Sequence, residues 1–444
     1  MPDALDFQPR VPFERAFRAG IEGADAYHAV RTGLRLHDEI LRIGNRFVPA
    51  DRFREIAFVA LGNAAGAMAL AAQQMLGDRL TQGLVASAAP APDALQFRSE
   101  LVPDPWPGSS AGTSALASVL ELAGDLKSQD LLLLLLSPGA LSVTAGPPAG
   151  WDPTAWRELL QSVRARHGPV DAVRVARVLG TGAVGGRLGA TVSEPLVVTL
   201  VIDRGEGPEW VGGGPTVPLG PEEPASVKDL LAGPLEVAPS RGVRPGRNVH
   251  RPVVVTGPAD AMEASGNLLA GQGWISRMIA LHLPGSPEEV AKQFVQGMET
   301  IRRDQVAEPR RLPTNAEERA TPSAGLYLPG PSTETPVATP RPESRGLAVF
   351  SSATFDSIEG GEGAAEVRAF LEAIARQSTR REAYVGALRT AGEISGRGGP
   401  AGAWLGRRVE ADASGEPATE TFSVHAGFTD VGTMLVGFVP WAAR

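Results

Sequence analysis

Glycine-rich stretches are the parts of this sequence that could do chemistry, because backbone amides in such stretches can bind phosphate or another small anion. Residues 180–185 have the Gly-x-Gly-x-x-Gly spacing of dinucleotide-binding loops, and Asp203 follows at a suitable distance. That fingerprint requires a strand before the loop, whereas residues 170–179 carry their arginines at helical spacing. The nine residues between the loop and Pro195 are also short for a crossover helix. An NAD-binding oxidoreductase is therefore an alternative and not the leading hypothesis.

A second glycine pattern, at residues 108–112, matches the Gly-x-Ser-x-Gly turn that carries the nucleophile of many hydrolases. That turn needs a strand immediately before it. Residues 103–107 contain three prolines, and prolines at this density are incompatible with a strand. The sequence therefore predicts that Ser109 caps the amino terminus of a helix.

Lysine and histidine, which often bind phosphates and metal ions, are few in this sequence. The three lysines, Lys127, Lys228 and Lys292, lie outside the glycine-rich loops, so the P-loop pattern Gly-x-x-x-x-Gly-Lys-Ser/Thr is absent. The six histidines show no metal-ligand spacing among themselves. Asp356 and Glu359 follow a predicted strand, where they could hold Mg²⁺ or form a solvated turn, and the turn is favoured. No metal ligand is assigned.

Composition excludes several classes of protein. The chain has 444 residues, 43% of them hydrophobic and 21% charged, which is enough for two or three globular domains. A net charge of −8 argues against a nucleic-acid partner, and the lack of cysteine excludes disulfides and thiolate metal sites. The amino terminus has no signal-peptide pattern, and the leucine run 131–136 is too short to span a membrane. We expect a cytoplasmic protein without a membrane partner.

Predicted strands and helices alternate over the first half of the chain, after a helical region at residues 13–43. The predicted strands are residues 55–61, 131–136 and 196–203, and the predicted helices are residues 64–72, 109–124 and 152–166. This alternation indicates an α/β fold, a doubly wound, mostly parallel Rossmann-like sheet with a second, smaller α/β domain. Ligands bind such sheets at the carboxyl ends of the strands. The turns at Gly62, Ser137 and Gly205 are therefore expected to line one crevice.

A stretch rich in glycine, proline and arginine at residues 241–251 marks the predicted domain boundary, with domains at residues 1–240 and 241–444. Residues 303–345 are rich in proline and are predicted to be a long loop beside the mouth of the cleft. The other elements predicted in the second domain are strands at residues 253–256, 275–283, 347–351 and 433–439 and helices at 259–269, 287–303 and 363–376.

Six short segments occur in the same order and spacing as those of a known enzyme family. They are residues 62–65 (Gly-Asn-Ala-Ala), 136–141 (Leu-Ser-Pro-Gly-Ala-Leu), 185–188 (Gly-Gly-Arg-Leu), 214–218 (Gly-Pro-Thr-Val-Pro), 354–360 and 427–429 (Gly-Phe-Thr). From about residue 13 to residue 439 the chain resembles the class II glycerate kinases, or glycerate 2-kinases. The resemblance implies a Rossmann-like domain facing a MOFRL domain across a cleft, and phosphorylation of glycerate with ATP and Mg²⁺.

Several charged positions of that family are changed here. Asn63 stands where the family has the lysine of Gly-Lys-Ala-Ala, and Val184 stands where it has the lysine of Lys-Gly-Gly-Arg-Leu. Pro138 lies in a loop that reads Ser-Gly-Gly-Gly-Ser in the family, and proline has no amide hydrogen to donate. The family's two arginines are kept as Arg177 and Arg187. The glycines that shape the loops thus persist while much of the positive charge is lost.

The resemblance also implies which residues form the site. The implied catalytic residues are Asn63, Arg177, Arg187 and Asp203, and the implied ligand-binding residues are Gly62, Ser137, Gly139, Gly186, Gly213, Gly214, Thr216, Asp356, Glu359 and Thr429.

The leading hypothesis is a glycerate 2-kinase family member with a degraded site, weak or inactive as a kinase, that binds a small anionic glycerate-like metabolite or a nucleotide. One alternative is an active kinase that uses Arg174, Arg177 and Arg187 in place of the lost lysines, with ATP and Mg²⁺. The others are the NAD-binding oxidoreductase and a non-catalytic partner subunit. A homodimer is a candidate assembly.

Overall fold

The structure is a computed structural model with two main six-stranded sheets. It describes residues 10–104, 106–231, 243, 245–283, 285–307, 346–353, 369–370, 372–374, 384–389, 401–411, 417–424 and 433–440. The helices are α1 Arg10–Gly23, α2 Ala26–Gly33, α3 Ala65–Leu76, α4 Ser110–Asp125, α5 Leu141–Thr144, α6 Pro153–His167, α7 Pro169–Leu179, α8 Arg187–Thr191, α9 Glu223–Leu230, α10 Pro258–Gly271 and α11 Pro287–Ala307. The strands are β1 Leu34–His37, β2 Ile40–Ile43, β3 Arg46–Pro49, β4 Ile56–Leu61, β5 Leu80–Ser87, β6 Arg98–Leu101, β7 Leu131–Leu136, β8 Ala145–Gly146, β9 Thr181–Gly182, β10 Leu196–Ile202, β11 Val253–Thr256, β12 Trp274–Met278, β13 Gly346–Ala353, β14 Tyr384–Arg389, β15 Ala401–Ala411, β16 Pro417–Val424 and β17 Thr433–Pro440.

The first sheet, called here the N-terminal sheet, has the strand order β11-β10-β7-β4-β5-β6, and every neighbouring pair is parallel. Its central strands β4 and β7 are buried along their whole length. Both faces of a doubly wound sheet are covered by helices, which explains why these strands are continuous apolar runs. The predicted parallel α/β sheet and its three predicted strands are confirmed.

Alternate residues of the central strands enter two different cores. Phe58 and Leu133 belong to the core that includes residues of α2, α3 and α10. Val59 and Leu134 belong to the core that includes residues of α4. The helix predicted from residue 109 is α4, and the Ser109 hydroxyl accepts a hydrogen bond from the Gly112 N–H at 3.0 Å. Ser109 is therefore a helix cap, as predicted.

The chain beyond the predicted boundary first returns to the N-terminal sheet. Strand β11 pairs in parallel with β10, although the sequence analysis placed it in the second domain. The hydrophobic core around α1 and α10 also continues from the N-terminal sheet to Phe350 of β13 and Val436 of β17. A division at residues 240/241 would cut β11 from its sheet, and the domain boundaries themselves stay a prediction.

The second sheet, called here the C-terminal sheet, has the order β12-β13-β17-β14-β15-β16. Strands β12 and β13 are parallel, and the other neighbours are antiparallel. Phe294 of α11 packs against Leu347 and Val349 of β13 in a separate core. Because α11 continues to Ala307, the start of the predicted loop at residues 303–345 is helical, and the rest of it lies outside the described residues.

The helical prediction for residues 13–43 was wrong after Gly33, where β1, β2 and β3 form an antiparallel sheet. The turn between β1 and β2 consists of Asp38 and Glu39, with φ values of 47° and 58°. Such turns normally carry glycine or asparagine, so the usual sequence signal for a hairpin is missing here.

None of the helices in the described ranges combines the length and the apolar character that a membrane span requires.

Asp130 fixes the amino-terminal end of β7. Its buried carboxylate accepts hydrogen bonds from Arg54 at 2.9 and 3.1 Å and from the N–H groups of Lys127 and Glu55 at 2.7 and 3.2 Å. Burial alone would raise the pKa of Asp130. The hydrogen bonds from Arg54 and the two amides, together with the Arg54 charge, outweigh burial and lower that pKa.

We expect Asp130→Asn to lower the free energy of unfolding by about 2 kcal/mol at pH 7, because the buried amide is uncharged and has one acceptor oxygen fewer, so Arg54 and one of the backbone N–H groups lose their carboxylate partner. A carboxyl group with a lowered folded-state pKa stabilises the fold fully above its unfolded pKa of about 3.9, and that contribution is lost as pH falls through the folded-state value. Urea unfolding measures the free energy of unfolding of wild type and variant at pH 7 and at acidic pH. The difference between the two proteins should become smaller as the pH falls. The exposed Asp78→Asn is the matched control, and an effect of similar size there would contradict the assignment.

Candidate anion-binding site at the strand ends

The topological switch point of the N-terminal sheet lies between β4 and β7. From this pair the chain builds β5 and β6 on one side and β10 and β11 on the other. Ligands of doubly wound sheets bind at such a point, outside the carboxyl ends of the strands. The structure places Gly62 and Asn63 directly after β4 and Ser137 and Gly139 directly after β7, so four of the predicted site residues lie together.

These two loops are in direct contact. The Asn63 N–H donates to the Pro138 carbonyl at 2.8 Å, and the Ser137 hydroxyl accepts from the Ala64 N–H at 3.0 Å. A β-carbon at Gly62, where φ is +110°, would lie 2.3 Å from the Ser137 carbonyl oxygen. A β-carbon at Gly139 would lie 2.4 Å from Oδ1 of Asn63. Both glycines are required by the close approach, and the Asn63 amide lies against the Gly139 backbone.

A third loop contains three consecutive glycines, residues 212–214, all in the left-handed region with φ of 58–64°. The carbonyls of Gly213 and Gly214 accept hydrogen bonds from the N–H groups of Gly185 and Gly186, each at 2.9 Å. The N–H groups of Gly213 and Gly214 donate within their own loop at 3.1 Å. These glycines therefore join two loops, and ligand contacts by Gly186, Gly213 and Gly214 stay a prediction.

Arg177 is buried behind this loop, with 1% of its side chain exposed. Its Nε and Nη2 donate to the Glu223 carboxylate at 2.9 and 3.0 Å. Its remaining N–H groups donate to the backbone carbonyls of Glu209, Gly213 and Pro218. A guanidinium has five N–H donors, and all five have protein acceptors here. The contacts assign Arg177 to holding the loop, and its predicted catalytic role stays untested.

Arg174 is also paired within the protein. It forms an ion pair with Asp171 on the same helix. The guanidinium carbons of Arg174 and Arg177 each lie 5.2 Å from the centroid of the Trp210 ring, within the range of a cation–π contact. Trp210 therefore joins the loop to α7 through two arginines, an arrangement that no sequence pattern indicated.

Arg187 differs from these two arginines. It is half-buried, and it donates to the carbonyls of Val184 at 3.0 Å and Arg177 at 3.4 Å. Within the described part of the chain no carboxylate lies at ion-pair distance from it. Burial lowers the pKa of Arg187, and the positive charge of Arg177 lowers it further. A half-buried cation that lacks a counter-ion is well suited to bind an anionic ligand.

Val184 and Thr216 face the interior. Val184 is fully buried, and a β-carbon at Gly213 would lie 2.7 Å from its Cγ1. The Thr216 hydroxyl lies 3.1 Å from the Thr199 hydroxyl of β10, also in a buried position. The hydroxyl of Thr216 is thus bonded within the core, and its predicted ligand contact stays a prediction.

Asp203 follows β10 at the carboxyl edge of the sheet. The pKa of Asp203 is raised to about 6, mainly by burial and in smaller part by the nearby charges of Glu206 and Glu209, although hydrogen bonds from the Gly207 and Gly205 amides oppose the shift. The Gly207 N–H lies 3.1 Å from its Oδ1. A carboxyl group whose pKa lies near neutral pH can accept or release a proton under physiological conditions.

Other predicted site residues are not brought together. Asp356, Glu359 and Thr429 lie outside the described residues. Among the residues that the structure describes, no group of three or more histidine and acidic side chains could hold a metal ion. Loop 180–185 follows helix α7 and not a strand. The helical spacing of residues 170–179 predicted this, and it was one of the reasons against a nicotinamide site.

Glu223 is a residue that the sequence analysis missed. It lies at the start of α9, and its Oε1 also accepts from the Gly220 N–H at 2.8 Å. In the sequence it is one of two adjacent glutamates, and nothing there shows which of them meets a buried arginine.

We expect Gly214→Ala to be much more destabilising than Gly150→Ala. Both glycines have positive φ, which costs an alanine about 1–2 kcal/mol. A β-carbon at Gly150 meets nothing within 4 Å, whereas one at Gly214 would lie 2.1 Å from Nη1 of Arg177. Thermal unfolding of the two variants measures the difference. Equal losses of stability would contradict the close packing of Arg177 on this loop.

Comparisons with known proteins agree with this fold. Residues 13–233 match the family described as "Domain of unknown function (DUF4147)". The glycerate kinase of Danio rerio is 24% identical over 249 residues, an alignment that covers 49% of this chain and 49% of that protein. The match thus spans about half the length of this relative.

Two crystal structures share the fold over nearly the whole chain. Glycerate kinase from Thermotoga maritima superposes with a TM-score of 0.62 at 16% identity and covers 97% of this chain and 99% of its own. The PH0495 protein from Pyrococcus horikoshii OT3 superposes with a TM-score of 0.61 at 15% identity, covering 97% and 98%. Residues 13–233 therefore carry the DUF4147 domain of the glycerate kinase-like family, and the chain shares the overall fold of the glycerate kinase structure.

Proposed function

We propose that this protein binds a small hydroxycarboxylate of the glycerate type at the strand ends of the N-terminal sheet and transfers phosphoryl groups slowly or not at all. The observation that carries the proposal is which of the three arginines, Arg174, Arg177 and Arg187, have an acidic partner within the protein. Arg174 and Arg177 have acidic partners within the protein, and only Arg187 among these three has no carboxylate partner in the described ranges.

An arginine that has no carboxylate partner among the described residues suits a ligand with one negative charge. A hydroxycarboxylate can pair with Arg187 and use backbone N–H groups for its remaining contacts. Phosphoryl transfer needs more, because catalysis depends on several fixed charges that neutralise the phosphates in the transition state. Asn63 is neutral and Val184 is part of the core, so neither position supplies such a charge.

Mg²⁺-bound ATP would be the phosphoryl donor of a kinase of this family. Mg²⁺ in such sites keeps several waters and uses one or two carboxylates. Asp203 is a described carboxylate whose position at the strand ends fits that role. The contribution of Asp356 and Glu359 to such a site is a prediction that lies outside the described residues.

A slow but genuine kinase is the second candidate, and the pKa of Asp203 favours it. If Asp203 is the general base and not a Mg²⁺ ligand, a carboxyl group that titrates near pH 6 suits the acceptance of a proton from the attacking hydroxyl. In that case the rate should rise as pH passes through about 6, and Asp203→Asn should abolish both the rate and its pH dependence.

Calorimetric titration with D-glycerate and a coupled assay with ATP and Mg²⁺ test the proposal together. We expect glycerate to bind and turnover to stay at or below about 0.1 s⁻¹, against an ordinary value near 10 s⁻¹, because one lost preorganised donor commonly reduces the rate about 10²–10³-fold. Turnover above about 1 s⁻¹ would favour the active kinase. An absence of glycerate binding would refute the substrate class.

Arg187→Ala should weaken glycerate binding about tenfold or more, because it removes a charge-assisted hydrogen bond. Arg166→Ala is the control, since Arg166 is exposed and its guanidinium bonds to the Ser162 carbonyl of its own helix. A homodimer or another partner subunit stays a separate prediction that light scattering of the purified protein can check.

A further inference from the structure

His282 lies in the segment that follows β12, and the backbone of this segment is hydrogen-bonded to β13. The N–H groups of Ile279 and Leu283 donate to the carbonyls of Phe350 and Ser352 at 2.7 and 2.8 Å. These two acceptors lie on the neighbouring strand β13. The backbone on both sides of His282 is therefore hydrogen-bonded to the C-terminal sheet, which fixes the point from which its side chain starts.

The side chain of His282 lies beside the turn that caps Asp203. A β-carbon at Gly205 would lie 3.4 Å from Cβ and 3.9 Å from Cγ of His282. The Gly205 amide in turn donates a hydrogen bond to the Asp203 carboxylate. A side chain from the C-terminal half thus packs on the same short turn that holds the carboxylate of the N-terminal half.

One nitrogen of this imidazole is a buried polar atom. Nδ1 of His282 is buried, and no hydrogen-bond partner for it occurs in the described part of the chain. Burial also lowers the pKa of His282, so the ring is neutral at pH 7. Buried polar atoms are almost always hydrogen-bonded in folded proteins, and an exception at a candidate site points to a missing ligand or water.

We propose that Nδ1 of His282 forms a hydrogen bond with a hydroxyl group of the bound hydroxycarboxylate and so makes the site selective for acids that carry that hydroxyl. The proposal rests on the proposed function, because it names a residue that recognises the same ligand. His282 is then a specificity-determining residue that the C-terminal half contributes to a site built mainly by the N-terminal sheet.

The two polar ends of the ligand suit different side chains in this proposal. The ligand carboxylate carries the negative charge and is suited to Arg187. A neutral imidazole nitrogen pairs well with a hydroxyl, which can donate or accept as the tautomer requires. A site built to hydrogen-bond a hydroxyl discriminates strongly against analogues that lack it, because its own polar group is then left unpaired.

The test compares three acids on four proteins by calorimetry. The acids are D-glycerate, lactate and 3-hydroxypropionate, the last two lacking one hydroxyl each. The proteins are the wild type, His282→Asn, whose amide can place a polar atom near the position of Nδ1, His282→Gln, which places it near Nε2, and His282→Leu. We expect the wild type to prefer glycerate about tenfold or more over one of the two analogues.

His282→Asn should retain the glycerate affinity of the wild type within about threefold, whereas the Gln and Leu variants should lose about tenfold and show no preference for glycerate. Unchanged glycerate affinity in His282→Leu would overturn the proposal while leaving the proposed function intact. A wild type that binds none of the three acids would overturn both.

Thermal unfolding without ligand supplies a second readout. If Nδ1 is unpaired in the free protein, His282→Leu removes a buried polar atom without a partner, and its Tm should equal or exceed that of the wild type. A clearly lower Tm for His282→Leu, with the Asn variant also weakened, would show that the nitrogen serves the fold and would refute a role in ligand recognition.

Discussion

Replacing Glu223 with glutamine should lower the free energy of unfolding by about 3 kcal/mol, one of the largest effects expected from a single substitution in this protein. Glutamine preserves the size of the side chain but removes the charge that faces Arg177. The Arg177 side chain is 1% exposed, so water cannot replace the lost carboxylate. An uncompensated buried guanidinium would remain, and such a charge is far more costly than an exposed one.

Glu222→Gln is the matched control, because Glu222 precedes Glu223 and is exposed. Urea unfolding of both variants at pH 7 gives the comparison. Apolar substitution of both partners should not restore stability, since Arg177 also donates to the carbonyls of Glu209, Gly213 and Pro218. A Glu223→Gln variant within about 0.5 kcal/mol of the wild type, the range of ordinary surface substitutions, would mean that the pair does not hold this loop.

This ion pair also bears on ligand binding, although Arg177 has no N–H left for a ligand. Arg177 connects α7 to the loop that contains Gly213, whose carbonyl also accepts the Gly185 N–H. The segment 185–187 that bears Arg187 is therefore positioned in part by Arg177. Loss of the pair should weaken ligand binding indirectly, by loosening the loops that place Arg187.

The sequence predicted the centre of the fold well and its margins poorly, for a physical reason. Strands β4 and β7 are buried on both faces, and each appears in the sequence as an unbroken apolar run between turn signals. Strand β5 was missed because its first half contains Thr81, Gln82 and Gly83, which interrupt the apolar pattern. The edge strand β6, Arg98–Leu101, is mostly exposed and has almost no apolar signal.

The site could be located from the sequence, but the roles of its side chains could not. Glycines such as Gly62 and Gly139 mark places where the backbone needs positive φ or close approach, and a sequence shows such places directly. An arginine gives no comparable signal. Arg177 and Arg187 look alike in the sequence, yet the first has acceptors for all its donors and the second lacks a carboxylate partner in the described ranges. That difference depends on Glu223, distant in the chain.

Asn63→Lys should increase kcat/KM for glycerate phosphorylation about tenfold or more, since one preorganised donor is worth about 10²–10³ in rate and a flexible lysine would recover only part of it. Asn63 is half-buried at the switch point, and its hydrogen bond to Pro138 is made by the backbone, so the substitution retains it. The new lysine side chain would extend from a position beside Gly139, which lies in the loop that follows β7. It would return positive charge to the position where the resemblance to glycerate 2-kinases places a lysine.

Val184→Lys is the informative contrast. The same resemblance places a lysine at this position, but Val184 is fully buried and its side chain packs on Gly213. A lysine there would have to bury an ammonium group among apolar side chains, so we expect loss of stability and no gain in rate. Asn45→Lys adds the same charge at an exposed turn and controls for net charge. The coupled assay with glycerate, ATP and Mg²⁺ compares the phosphorylation rates of the three variants with that of the wild type. If Asn63→Lys folds and binds glycerate but gains no rate, a missing cation at residue 63 is not what limits phosphoryl transfer.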